Sequence, residues 1–153
     1  MTTLNASPET CHWGYFDAAQ PRAIEVESGA EITVNTVSGA PQVLPGEGYY
    51  VPPELLDIHA GGAPKLPGHI LTGPVAVRGA QRGDVLQIDI LEVSLRQDWG
   101  YNVIRPLSGT LPNDFDTTHL NILPLDAASG VATMPWGAKL RLAPFFGVMG
   151  VAP

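Results

Sequence analysis

Three stretches of the chain alternate apolar and polar residues with a period of two. They are "AIEVESGAEITVNTV" (Ala23 to Val37), "GPVAVRGAQRGDVLQIDILEVSL" (Gly73 to Leu95) and "GAKLRLAPF" (Gly137 to Phe145). That period sends successive side chains to opposite faces of an extended chain, so each stretch is predicted to hold half-buried β-strands. In the second, Val85, Leu86, Ile88, Ile90 and Val93 are expected to bury mainly one face, while Gln87, Asp89 and Glu92 look elsewhere. A glycine precedes the alternation in "SGAEITVNT" from Ser28, "RGDVLQIDI" from Arg82 and "WGAKLRLAP" from Trp136. Each reads as strand, tight turn, strand, with the glycine supplying the positive φ of the turn.

Between the strands the pattern lapses into two long connections. Pro41 to Pro67 is read as irregular, with "PPELLDIHA" forming one short helical turn that starts on Pro53, a residue suited to the first helical position because its missing N–H is not needed there. Trp99 to Ser129 is read as a second loop, with "LPNDF" as a turn and "HLNILPL" as a short apolar strand. The 17 glycines and 15 prolines leave little room for uninterrupted helix. The expected fold is mainly β, a sandwich or barrel with long loops and little helix, forming one domain over residues 1–153.

Charge narrows the partners. A net charge of −7 with only 8 Lys plus Arg is wrong for nucleic acid, whose affinity rests on cations displacing condensed counterions. No apolar run approaches the length of a bilayer span, and "MTTLNASPETCHW" lacks a basic head followed by an apolar core, so a cytoplasmic protein is expected. Cys11 is the only cysteine, which excludes an internal disulfide and a thiolate metal cluster within one chain.

The candidate chemistry lies in four histidines: His12, His59, His69 and His119. No two show the i, i+4 spacing of a helical zinc motif. Asp57 and His59 would share a face on a strand but not on a helical turn. His69, in "GHILTGP", stands on a glycine-flanked approach to a strand, where backbone can lie close to a ligand; a turn residue with a structural role is the alternative. His12, in "HWGYFD", is placed to cap a pocket with aromatic walls, or to sit in a core. Nucleophile-elbow, phosphate-loop and dinucleotide signatures are absent.

Taken together, "HWGYFD", "SGAEITVNTVSG", "GHILTGPVAVRGAQRGDVLQIDILEV", "LRQDWGYN" and "PFFGVMGVAP" resemble the amino-terminal half of the acetamidase/formamidase family, over His12 to Pro153. The stretch T-G-P-x-x-V-x-G-A-x-x-G-D-x-L-x-V-x-I is a hallmark there; Thr72, Gly73, Pro74, Val77, Gly79, Ala80, Gly83, Asp84, Leu86, Ile88 and Ile90 fill it. The resemblance implies a jelly-roll-like β fold and hydrolysis of short amides, formamide or acetamide in type, to carboxylate and ammonia. It also implies a divalent metal, zinc or calcium, and a catalytic role for His69, the histidine before "LTGP", with His12 a candidate for binding substrate. Family chains are about twice as long, and this sequence lacks the second-half "GD-x-HA" segment and the carboxylates expected to hold the metal. A second polypeptide carrying that half, or self-association, is therefore expected. The apolar "PFFGVMGVA" points the same way. A non-catalytic β-sandwich that binds a ligand or partner through its loops and Trp99, Tyr101, Trp136, Phe145 and Phe146 is the rival reading.

Overall fold

The computed structural model describes residues 2–61 and 66–152, so residues 62–65 of the expected Pro41–Pro67 connection lie outside the described residues. The chain is mainly β. In order it forms β1 (Thr2–Asn5), β2 (Cys11–Trp13), β3 (Ile24–Val26), β4 (Ile32–Asn35), a 3-10 turn at Pro41–Val43, α1 (Pro53–Ala60), β5 (Ile70–Thr72), β6 (Val75–Val77), β7 (Trp99–Ile104), β8 (His119–Asp126), β9 (Val131–Thr133) and β10 (Lys139–Arg141). These elements gather into two compact units, one of residues 1–40, 53–91 and 146–153, the other of residues 41–52 and 92–145.

The first unit holds three two-stranded sheets and α1. β1 pairs parallel with β4, β3 parallel with β6, and β2 antiparallel with β5 in the register Cys11↔Thr72, His12↔Leu71, Trp13↔Ile70. Its core is made by Leu4, Ala6, Cys11, Trp13, Val37, Leu55 and Ile58. "PPELLDIHA" does form a helix, and Pro53 opens it. Leu55 and Ile58, three apart, fall on one face and are buried; Leu56 and Asp57 fall outside it and are exposed.

The second unit is a four-stranded antiparallel sheet in the order β10-β9-β8-β7. Trp99 anchors it, 1% exposed, with its indole N–H donating to the Tyr50 carbonyl at 2.8 Å. The stretch from Trp99 to Ser129 is a loop only in part: "LPNDF" forms a turn and "HLNILPL" falls in β8, as expected, but its first six residues are a strand. "WGYNVI" forms β7 and pairs with β8 over six residues, Trp99↔Pro124 to Ile104↔His119. Trp99, Tyr101 and Val103 alternate with Gly100 and Asn102, a strand period that the reading of this stretch as a loop passes over.

The three glycine-led turns separate into different outcomes. Gly29, Gly83 and Gly137 all take positive φ, +80°, +101° and +87°, as expected. Only the last closes a hairpin: β9 and β10 pair antiparallel, Thr133↔Lys139 to Arg141↔Val131. The strands on either side of Gly29 pair instead with β6 and β1. Directly after Gly83 no ladder forms among the described residues: Asp84–Leu95 runs on without turn, bend or bridge. Val85, Leu86, Ile88 and Ile90 are exposed rather than buried on one face, because a strand buries a face only when a second layer or a neighbouring strand covers it.

Candidate functional site

The antiparallel pair β2–β5 positions the candidate residues of the first unit. Where β2 leaves the sheet, the chain bends at Gly14, whose φ is +74° and whose N–H donates to the His69 carbonyl at 3.1 Å. The turn returns Tyr15 over His12, ring centroids 5.0 Å apart. His12, Tyr15, Glu9, Gln20, Cys11 and Pro74 line a concavity of about 260 Å³. This is slightly below the roughly 300 Å³ at which pockets for drug-sized ligands begin, and suits a molecule of a few heavy atoms.

His12 is the buried polar residue of this wall, 7% exposed. Its Nε2 lies 3.1 Å from the Tyr15 carbonyl oxygen. A carbonyl can only accept, so in the neutral ring Nε2 carries the proton and Nδ1 keeps the lone pair. The hydrogen bond thus fixes a tautomer with one basic nitrogen. Tyr15 Oη accepts from Gln20 Nε2 at 2.6 Å, which leaves the phenolic proton to donate. Glu9 accepts from the Ser7 hydroxyl at 2.7 Å; that bond, then its own backbone N–H, hold its carboxyl below the usual carboxylate range. The wall therefore combines an acceptor nitrogen, an O–H donor and a carboxylate.

His69 stands elsewhere. It immediately precedes β5, its side chain is exposed, and it is not among the residues lining the concavity. The glycines beside it serve backbone packing: a Cβ on Gly68 would stand 3.0 Å from Gly14 Cα, and one on Gly14 would meet the Pro67 carbonyl at 2.5 Å. The close approach that the sequence pattern reserves for a ligand is here made by the chain itself. His12 and His69 thus flank one sheet corner without sharing a cavity.

The other candidates resolve into structural roles. Asp57 and His59 lie on α1, where residues two apart diverge, so they do not form a chelating pair. His59 Nε2 meets the Gly39 carbonyl at 3.1 Å, and its ring packs edge-on against Trp13 at 5.4 Å. Cys11 is buried with Sγ 3.5 Å from Thr72 Oγ1. Trp99 is core and not a binding-surface aromatic, whereas Trp136 and Phe145 are largely exposed. Among the described residues no three His, Cys, Asp or Glu side chains gather as a metal site, so the donor set does not fit the divalent ion that the resemblance implies. Glu9 and Gln20 escaped the sequence reading, and Pro74 entered it only as part of the hallmark; "HWGYFD" signalled Tyr15, but tertiary pairing alone brings residues 8–21 to Gly73 and Pro74.

A second concavity of about 290 Å³ lies on the four-stranded sheet between Leu125, Asp126, Thr133 and Lys139. Its carboxylate is occupied: Asp126 accepts from Ser129 Oγ and from the backbone N–H groups of Ser129 and Ala128. Ser129 foremost, then those N–H groups, lower its pKa.

Comparison with known proteins adds one match. Residues 63–153, more than half of the chain, match the Acetamidase/Formamidase family. His69 and the Thr72–Ile90 hallmark fall inside the match; His12 falls before it. No curated protein and no solved structure matches the chain. Among the described residues no helix is long and apolar enough to cross a membrane.

Proposed function

Since the chain belongs to the acetamidase/formamidase family, we propose that it takes part in hydrolysing short amides, of the formamide or acetamide type, to carboxylate and ammonia. The family match carries this reading, and the chemistry of the His12 concavity supports it. A primary amide presents a carbonyl that accepts and an NH2 that donates. The Tyr15 hydroxyl answers the first, and the Glu9 carboxylate the second. Nδ1 of His12 would then take the proton from an attacking water as its oxygen bonds to the amide carbon. On collapse of the tetrahedral species the C–N bond breaks, and the proton passes to the departing nitrogen.

A divalent metal, zinc or calcium, would draw its donors mainly from the family's second half, since no three gather among the described residues. A second polypeptide, or a second copy, is the proposed source of whatever further groups the reaction uses. The proposed setting is cytoplasmic.

The test is ammonia release from formamide and acetamide by the purified chain, alone, with zinc or calcium, and with a polypeptide supplying the family's second half. His12→Gln retains a donor for the Tyr15 carbonyl but removes the basic nitrogen; it is expected to lower kcat by about 10²–10⁴-fold. His69→Ala is expected to leave kcat within about threefold, its imidazole being outside the concavity. The reverse ranking would move the reaction to the His69 side of the corner. No hydrolysis in any mixture would favour the binding-module reading, which the exposure of Trp136 and Phe145 supports.

A further inference from the structure

The segment after Gly83 has the sequence of a strand and, among the described residues, lacks a strand's neighbour. Along Asp84–Leu95 the side chains alternate as on an extended chain: Gln87 Nε2 donates to both Asp89 carboxylate oxygens, at 3.0 and 3.2 Å, and the Ser94 hydroxyl donates to Glu92. Partners two residues apart face the same side only when the chain is extended. Val85 is 95% and Leu91 72% exposed, and Leu86, Ile88 and Ile90 are each about half exposed. An open, apolar, extended backbone is a template for another strand. Its charge restricts which: Asp84, Asp89 and Glu92 are acidic and no cation lies between them. Two such segments side by side would set carboxylates against each other.

A complementary edge exists on the same chain. β10 is the outermost strand of the four-stranded sheet, and Lys139, Leu140 and Arg141 are all exposed. On its inner side the Met134 N–H donates to the Ala138 carbonyl, and the Leu142 N–H to the Gly130 carbonyl. Backbone groups alternate in direction along an antiparallel strand, so those of Lys139 and Arg141 point to the open edge.

We propose that Gln87–Leu91 of one molecule pairs with β10 of a second copy, antiparallel, with Arg141 opposite Asp89. In this register Lys139 lies opposite Leu91 and diagonal to Asp89, Leu140 opposite Ile90, and Leu142 opposite Ile88. The hydrogen-bonding positions of β10 meet Asp89 and Leu91, apolar side chains cover one face, and unlike charges meet on the other. A ladder this short is small beside the roughly 1,200–2,000 Å² of stable interfaces, so association is reversible and rises with concentration. The inference is independent of the amide reading.

Sedimentation equilibrium of the full chain tests it, with hydrogen exchange of the amides of residues 86–92 read on the same samples. Mass should rise with concentration while those amides gain protection. Asp89→Arg, at an exposed position, should weaken association about tenfold, by replacing an unlike with a like cross-strand pair. Combining Asp89→Arg with Arg141→Asp should restore it to within about threefold. A monomer at every concentration overturns the proposal. So does association that ignores the single reversal, or that the double exchange fails to restore, outcomes that would indicate a different occupant.

Discussion

At Gly14 a single missing Cβ holds the sheet corner that carries both candidate histidines. Its φ of +74° disfavours any other residue, and an added methyl would stand 2.5 Å from the backbone oxygen of Pro67, an atom without a rotamer to escape through. Gly29 has nearly the same φ, +80°, with nothing within 4 Å of the added atom. The pair separates torsional cost from collision. Gly29→Ala is expected to cost about 1 kcal/mol, and Gly14→Ala roughly 3 kcal/mol or more, compared by urea midpoints at unchanged slope. Equal losses would show that the contact with Pro67 is relieved by movement. At this scale the sequence was readable: it singled out Gly29, Gly83 and Gly137 as positive-φ turn residues, which they are. Gly14 was not singled out, because its need arises from Pro67, more than fifty residues away.

The turn that joins β8 to β9 shows how an element ends. Asp126 closes it by accepting from Ser129 Oγ and two backbone N–H groups, each of which favours the charged carboxylate. Its folded pKa is therefore depressed, Ser129 foremost. The stabilisation is present above the unfolded carboxyl pKa, and it fades as pH falls through the lower folded value. Ser129→Ala should bring the Asp126 pKa, followed by carboxyl NMR shifts, back towards its ordinary value, and shift the acid loosening of this turn to higher pH. A pKa that stays put would assign the effect to the backbone donors alone. Element existence followed period: β3, β4, β6, β8 and β10 lie on the alternating or apolar runs. β7 lies outside the runs singled out, although Trp99, Tyr101 and Val103 alternate with Gly100 and Asn102; its ladder to β8 identifies that short alternation as a strand. The alternation of residues 84–95 is the converse case, a pattern without a partner among the described residues.

On the scale of the whole molecule, the polar residues that matter are scattered by the topology. His12 faces a concavity, His69 is exposed, His59 packs on Trp13, and His119, at the start of β8, has its Nε2 2.9 Å from Thr117 Oγ1. With no three metal-binding side chains gathered among the described residues, the chain alone is expected to retain well under one equivalent of zinc after dialysis, measured by elemental analysis. Retention of a full equivalent that both His12→Gln and His69→Ala abolish would place those two residues on one ion and contradict the geometry.

Family membership, a mainly β fold and the turn glycines were determined by the sequence itself, since each depends on local steric demands or on a periodicity a few residues long. The tertiary structure alone decided which strands pair, why the glycines around His69 are needed, and that His12 rather than His69 borders a cavity. Those outcomes depend on contacts between residues far apart in the chain, such as Gly14 with Pro67 and His12 with Leu71. No local pattern encodes such separations, because the free energy of a long-range contact belongs to both of its ends at once.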